Sequence, residues 1–233
     1  RSQAIFSSVT ATADGYCVIA GTGAGAVRIR GGEVERVVDL AGWLLGDLGS
    51  GYWLGLEAAR AAVAELEERG EKTLLTPALL GALGIPWSDD KRLGRPAPLR
   101  LLIDAIYAMR PIELARFAPL VVAHRADAVG GRLLARAERY LASHFALAFD
   151  AQMAGPVVLG GGVITHLSGL APAITEIVRA AGHEADIRIA SDGSVGAAVL
   201  AMRAVGMRVD EPMVATIAAS IAERQAMGVR PIV

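Results

Sequence analysis

Hydrophobic and polar positions near the start of the chain follow a pattern that predicts strands. Residues 16–20 and 26–30 are extended, mostly apolar runs on either side of a glycine-rich bend, and Gly31-Gly32 leads into the alternating segment 33–39. A period of two places every second side chain on one face of a sheet, and glycine pairs favour tight turns. The pattern therefore predicts an opening antiparallel meander.

The middle of the chain changes to helical spacing. Residues 52–69 carry apolar side chains three or four positions apart, and Gly70 follows as a predicted C-cap. Residues 73–150 are also largely helical in pattern, and 87–98 is predicted as a linker or mobile loop. Breaks in the helical pattern are predicted at Pro77, 86–98, Pro111 and 130–131.

The last third alternates strands with helices. A buried strand at 155–162 ends in glycines, and further elements are predicted as helices at 168–181, 195–205 and 211–227 and a strand at 186–190. Strands separated by helices pair in parallel, so the sheet is predicted to be mixed. The predicted α/β organisation is a sheet core at about 12–50 and 155–205, a helical insertion at about 52–150 and a closing helix at about 211–227.

Composition narrows the classes of function. The 233 residues are 53% hydrophobic, yet charge or glycine interrupts each apolar stretch before about 18 residues, so no membrane anchor is expected. A formal net charge of -1, with both signs interspersed, argues against a nucleic-acid-binding surface. The single cysteine, Cys17, lies in a predicted buried strand and is expected to act as a small hydrophobic residue in a reducing cytosol.

The histidines show no spacing typical of metal ligands, so no metal site built from protein side chains alone is predicted. Each is expected at the surface or at a helix cap. They are His124, His144, His166 and His183.

The segment Gly21-Thr22-Gly23 directly follows the first predicted strand. Bare amides and a hydroxyl at this point admit an anion that a bulky side chain would exclude, so the segment is predicted to bind phosphate. Residues 21–26 also match the dinucleotide pattern G-x-G-x-x-A, but that fold needs a helix next, and the following residues alternate like a strand. A tight hairpin without a ligand is the alternative.

A second glycine-rich segment, 46–51, carries Asp47 and precedes the first long helix. A carboxylate among small residues can orient a hydroxyl or a metal ion, and the preceding Trp43 adds to the prediction of a ligand site. The alternative is an ordinary N-cap, since Asp47 and Ser50 both suit a helix start.

Two later segments suit the ribose or phosphates of a nucleotide: Gly160-Gly161-Gly162, and Ser191-Asp192-Gly193-Ser194. Either could equally be an ordinary turn from strand to helix. If the glycine-rich ends at 21–23 and 160–162 lie on one side of the sheet, they would line a single crevice.

These blocks together resemble the C-terminal lobe of the N-acetylglucosamine kinase and BadF/BadG/BcrA/BcrD-type ATPase family, within the sugar kinase, heat-shock chaperone and actin superfamily. The resemblance is carried by residues 14–23, 42–53 and 159–163. It implies a ribonuclease H-like (actin-like ATPase) lobe with a mixed sheet and a large helical insertion. It also implies phosphorylation of a sugar hydroxyl by ATP with Mg²⁺, in a cytoplasmic homodimer.

The resemblance assigns roles to residues of this sequence. Phosphates would face Gly21, Thr22 and Gly23. The sugar would lie by Trp43, Gly46, Asp47 and Ser50. The rest of the nucleotide would lie by Gly160, Gly161, Gly162 and Ser194.

Three departures from the family pattern qualify these expectations. The N-terminal lobe is missing from these residues, so the chain alone is expected to be inactive. The spacing that should hold the catalytic aspartate gives Gln3, which cannot act as a base, so we expect either that the aspartate lies just upstream of Arg1, the interpretation we favour, or that it has been replaced. Ala41 and Leu48 replace a tryptophan and a glutamate of the sugar loop, which leaves the sugar open. The alternatives are an ATPase that activates an electron-transfer partner, and a non-catalytic sugar- or nucleotide-binding member.

Overall fold

A mixed sheet forms the centre of the protein, of which the computed structural model describes residues 2–92, 94–190 and 193–226. The strands are β1 (Gly15–Ala20), β2 (Ala24–Arg30), β3 (Glu33–Asp39), β4 (Lys91–Arg92), β5 (Arg95–Pro96), β6 (Val157–Gly160) and β7 (Ile187–Ala190). The main sheet has the order β3-β2-β1-β6-β7, while β4 and β5 form a separate small hairpin. Strands β1 to β3 pair antiparallel, and β6 runs parallel to both β1 and β7. The predicted mixed sheet and its opening meander are confirmed.

Helices surround this sheet and build the middle of the chain. They are α1 (Ser2–Ser7), α2 (Gly51–Leu66), α3 (Leu75–Ala82), α4 (Ala97–Tyr107), α5 (Ala118–Ala123), α6 (Ala128–Ala148), α7 (Leu170–Ala180), α8 (Gly193–Ala204) and α9 (Glu211–Ala226), with 3-10 helices at Pro111–Phe117 and Ile164–His166. Within the described ranges no helix is long and apolar enough to cross a membrane. The sequence pattern gave no prediction of α1.

Strand β1 is buried on both faces because helices pack on both sides of the sheet. Its even-numbered residues, such as Tyr16 and Val18, join a core that includes Phe145 of α6 and Ile174 of α7. The odd-numbered Cys17 and its neighbours on that face pack on α1 instead. A central strand covered on both faces is a nearly continuous apolar run, as 16–20 is.

A second core lies among α2, α3, α4 and the 3-10 helix Pro111–Phe117, with buried leucines such as Leu79 and Leu99. Helix α2 approaches the 3-10 helix so closely that a Cβ at Gly55 would overlap the Leu114 carbonyl oxygen. Helix α6 instead packs on β2 and β3. The residues of the predicted insertion, 52–150, are therefore divided between the two cores.

Several helices begin or end at residues other than those predicted, because the backbone conformation at the helix ends sets the boundary. Helix α2 ends at Leu66 rather than at Gly70, because Glu68 already has a positive φ of 59°. Pro77 lies in the first turn of α3, where the missing N–H costs no helical bond. Residues 130–131 lie in the first turn of α6 and do not break it. The predicted loop 87–98 contains the β4–β5 hairpin.

Candidate functional site

A cleft of about 610 Å³ opens where β1 and β6 end. One wall consists of glycine-rich main chain and includes Gly21, Thr22, Gly51, Gly161 and Gly162. The opposite wall is apolar and comes from α5 and its neighbourhood, with Ala118, Pro119, Val122 and Ala123. The volume lies within the range of about 300–1,000 Å³ that is common for small-molecule sites.

Main-chain hydrogen bonds join the glycine-rich loops to one another. The Gly51 amide donates to the Gly21 carbonyl at 2.7 Å, and the Tyr52 amide donates to the Thr22 carbonyl at 3.3 Å. On the other side, the Val163 amide donates to the Ala20 carbonyl at 2.9 Å. The loops after β1 and β6 and the start of α2 are thus held around the same cleft, as the crevice prediction required.

Glycine leaves parts of this wall open to a ligand. A Cβ at Gly21 or at Gly162 would meet no heavy atom within 4 Å. Gly161 differs, since its φ of 107° and the nearby Ala20 carbonyl oxygen, 2.5 Å from where a Cβ would lie, both require glycine. Of the nucleotide residues predicted from sequence, Gly161 and Gly162 therefore line the cleft.

Two of the other predicted nucleotide residues, Gly160 and Ser194, are not among the described residues that line the cleft. Gly160 is buried at the end of β6, where a Cβ would collide with Ile5 of α1. Ser194 lies exposed in the first turn of α8 and is not among the residues that line the cleft. Ser191 and Asp192 lie outside the described residues.

Asp47 lies beside the turn that carries Gly23. Its Oδ1 accepts a 3.0 Å hydrogen bond from the Ala24 amide, and a Cβ on Gly23 would lie 2.8 Å from the same oxygen. The side chain is buried, and this burial raises the pKa of Asp47; the Ala24 bond opposes the rise and the charge of Asp39 adds to it. The carboxylate and the 21–23 segment are thus adjacent, with Gly23 facing Asp47 and with Gly21 and Thr22 facing the cleft.

The remaining predicted sugar residues have different surroundings. Trp43 is 41% exposed and meets Tyr52 edge-on, with 6.0 Å between ring centroids. Gly46 packs so tightly on Asp39 that a Cβ would collide with the carboxylate. Ser50 is fully buried and is the N-cap of α2, because its Oγ accepts from the Trp53 amide at 3.0 Å. The capping alternative thus applies to Ser50, and its contact with a sugar stays a prediction.

Gln3 is far from the cleft along the sheet. Its Nε2 donates to the Gly32 carbonyl at 3.0 Å, in the turn between β2 and β3. That turn lies at the end of the β1–β2 hairpin opposite to Gly21, and a strand of six residues is about 20 Å long. Gln3 therefore does not line the cleft, and the position of the catalytic base stays a prediction.

The structure also corrects the prediction for His144. Instead of lying at the surface or at a cap, it is buried on α6, and its Nε2 lies 3.5 Å from Asp39 Oδ2. The sequence pattern missed both Asp39 and the α5 wall of the cleft. His166, also predicted at the surface or at a cap, is exposed and lines the cleft.

Cys17 has the buried position predicted for it. Burial raises the pKa of its thiol to about 12, so it offers no thiolate for an iron–sulfur cluster. Within the described ranges, no group of three or more His, Cys, Asp or Glu side chains is arranged to hold a metal ion.

Comparison with known proteins agrees with the family resemblance identified in the sequence. The model of the BadF/BadG/BcrA/BcrD ATPase family matches residues 3–201. A stretch of 79 residues is 35% identical to an N-acetylmuramic acid/N-acetylglucosamine kinase from Clostridium acetobutylicum, which covers 33% of this chain and 25% of that protein.

Solved structures share the fold. A proposed N-acetylglucosamine kinase from Chromobacterium violaceum superposes with a TM-score of 0.64 at 25% identity, over 85% of this chain and 64% of that one. A second, from Porphyromonas gingivalis, gives 0.55 at 20% identity, over 83% and 62%. The predicted actin-like ATPase fold is thereby confirmed. The chain spans less than two thirds of the length of these relatives. Because the family match extends over most of its length, the chain belongs to the BadF/BadG/BcrA/BcrD ATPase family.

Proposed function

We propose that this chain is the C-terminal part of an ATP-dependent kinase that phosphorylates a hydroxyl of N-acetylglucosamine or a related hexosamine. The observation that carries the proposal is the single cleft around which the loops after β1 and β6 and the start of α2 are joined by main-chain hydrogen bonds, next to the buried carboxylate of Asp47. The names of the relatives from Clostridium and Chromobacterium support the sugar class.

The nucleotide would lie between the two walls of the cleft. The flat faces of its base suit the apolar wall formed by Ala118, Pro119 and Val122, while Gly162 lines the same cleft. The phosphates would then extend toward Gly21 and Thr22, where glycine leaves room for anionic oxygens.

Magnesium would neutralise the charge of the phosphates during transfer. Mg²⁺ in kinase sites is commonly held by substrate phosphates, water and only one or two carboxylates.

The sugar would lie by Asp47. Oδ1 of this residue is engaged by the Ala24 amide, which leaves Oδ2 to accept a hydrogen bond from a sugar hydroxyl. In the transfer, the attacking hydroxyl oxygen forms a bond to the γ-phosphorus while the bond to the β–γ bridging oxygen breaks, and the hydroxyl proton passes to a base. We propose that this base lies outside residues 1–233, so that these residues alone bind nucleotide but transfer no phosphate.

Two measurements test the proposal. The intact protein should release ADP from ATP and Mg²⁺ when N-acetylglucosamine is added, and much less without sugar. In calorimetry, Gly162→Val should abolish ATP binding because the new side chain fills cleft space, whereas Gly81→Val, at another glycine with no heavy atom within 4 Å of its Cβ position, should not. A wild-type protein that binds no ATP, or equal binding by the two variants, would overturn the proposal.

A further inference from the structure

We propose that Asp39 is a positioning residue that holds Asp47 in its sugar-binding geometry, and that His144 packs against the Asp39 carboxylate and helps to hold it in place. This inference rests on the proposed function, because it assigns to Asp39 a role in the sugar half of that site. Asp39 itself would touch neither sugar nor nucleotide.

The carboxylate of Asp39 binds the two consecutive main-chain amides on either side of the Asp47 α-carbon. Oδ1 accepts a 2.7 Å hydrogen bond from the Asp47 amide, and Oδ2 accepts a 2.9 Å bond from the Leu48 amide. Only 7% of the Asp39 side chain is exposed. Hydrogen bonds from amides to a buried carboxylate are charge-assisted and stronger than neutral ones. The pair therefore fixes both the position and the direction of the backbone that carries Asp47.

The backbone around this anchor adopts a conformation that needs support. Asp39, Leu40 and Asp47 have φ values of 62°, 58° and 57°. Residues other than glycine adopt this left-handed region only where the surroundings determine it. Gly46 leaves the space for the anchor, since a Cβ there would collide with Asp39 Oδ1. The loop thus has a built geometry that depends on the Asp39 carboxylate.

His144 closes the side of Asp39 that faces α6. Its Nε2 lies 3.5 Å from Asp39 Oδ2, and only 10% of its side chain is exposed. Its Nδ1 is buried and, within the described ranges, has no hydrogen-bond partner. A buried imidazole with one unpaired nitrogen is costly for a fold unless the other nitrogen has a use. The contact between Nε2 and the Asp39 carboxylate is such a use. In that position the imidazole keeps water from competing for the amides of Asp47 and Leu48.

A small movement of this backbone would change what Asp47 can bind. One carboxylate oxygen of Asp47 accepts from the Ala24 amide. The direction of the other oxygen is therefore set by the position of the main chain at residue 47. Displacements of about 1 Å can cost about a hundredfold in rate when a reacting group must be aligned. Loss of the anchor should therefore weaken the sugar half of the site and spare the nucleotide half, which the loops after β1 and β6 form.

The test uses Asp39→Ala and Asp39→Asn in the intact protein. Asp39→Ala removes both acceptors and should raise the KM for N-acetylglucosamine about tenfold, with the KM for ATP unchanged within about twofold. Asp39→Asn keeps one acceptor but turns an NH₂ group toward the other amide, so its effect should be intermediate. Asp127→Asn is the control, because Asp127 is likewise a carboxylate that accepts from main-chain amides, those of Leu74, Val129 and Gly130, as well as from Thr73 Oγ1, away from the Asp47 loop. It should leave the sugar KM unchanged.

Hydrogen exchange without any ligand gives a readout that does not depend on activity. The amides of Asp47 and Leu48 should be protected in the wild type and in Asp127→Asn, and should exchange at least about tenfold faster in Asp39→Ala. Unchanged exchange, or faster exchange with equal changes in the sugar and ATP KM values, would overturn the positioning role. A wild type that phosphorylates no sugar would overturn the proposed function, whereas the exchange rates would still show whether Asp39 anchors the loop.

Discussion

The amide of Gly51 donates a 2.7 Å hydrogen bond to the carbonyl of Gly21, so the first turn of α2 is attached to the turn that follows β1. A helix start normally has unpaired amides that can bind an anion. Here the amides of Gly51, Tyr52 and Trp53 are all engaged, the last by Ser50 Oγ. The start of α2 therefore shapes the cleft rather than binding phosphate itself.

Replacement of Ser50 by alanine separates capping from sugar binding. Ser50→Ala leaves the Trp53 amide without its side-chain acceptor and should lower the free energy of unfolding by about 1 kcal/mol. Denaturant unfolding measures this change. The KM for N-acetylglucosamine should stay unchanged, whereas a marked rise without loss of stability would favour the sugar contact predicted from sequence. Ser88→Ala, which removes an exposed hydroxyl bonded to the Asp90 amide, is the control and should cost less.

Glycines at which two helices approach closely should not tolerate a side chain. A Cβ at Gly55 would overlap the Leu114 carbonyl oxygen, and a Cβ at Gly196 would overlap that of Ala4. Gly55→Ala and Gly196→Ala should each reduce the free energy of unfolding by about 1–3 kcal/mol, since the packed elements must move apart. Gly81→Ala, in an open position of α3, should be neutral or slightly stabilising. Equal midpoints of thermal unfolding for all three variants would contradict the close packing.

The thiol of Cys17 should be inert in the folded protein. It is fully buried in β1, and burial raises its pKa to about 12, so almost no thiolate exists at neutral pH. A chromogenic disulfide reagent should therefore label Cys17 only after denaturant is added. Rapid labelling of the native protein would show that the sheet opens locally at β1 or that the thiol is not buried.

The sequence allowed the sheet to be predicted because its signals are local. The apolar run 16–20, the bend at 21–23 and the turn at Gly31-Gly32 each depend on neighbours in the chain, and each has the expected structure. The proximity of 21–23 and 160–162 has a different origin, since it follows from the parallel pairing of β1 with β6, which are distant in sequence.

The anchor of the Asp47 loop and the second wall of the cleft could not be predicted in this way. Asp39 and His144 are distant in sequence and meet only because α6 packs on β3. The alanines and valines of α5 resemble any buried helix and carry no motif. The surroundings of Gln3 could not be predicted from its spacing either, because it belongs to helix α1 and its side chain bonds to the turn at Gly32.

His144 should control part of the dependence of stability on pH. Burial lowers its pKa below the ordinary value of 6.5, while the nearby Asp39 carboxylate opposes this shift. The folded state thus binds a proton on His144 more weakly than the unfolded state does. The stabilising contribution is therefore present above pH 6.5 and is lost as the pH falls from 6.5 toward the lowered pKa.

Thermal unfolding of the wild type and of His144→Gln between about pH 7 and pH 5 measures this contribution. The midpoint of the wild type should fall more steeply with acid than that of the variant, because glutamine has no proton to bind.

The contribution of Asp47 to the pH dependence of stability has the opposite sign. Its raised pKa makes the folded state bind a proton more tightly than the unfolded state at pH values just above 3.8. The variant, which lacks the His144 contribution, should thus have a shallower acid slope. His183→Gln, which removes a surface imidazole bonded to the Ala151 carbonyl, is the control for loss of a histidine as such. Parallel curves for the wild type and His144→Gln would mean that the imidazole is not buried against Asp39, and the support assigned to it would then be lost.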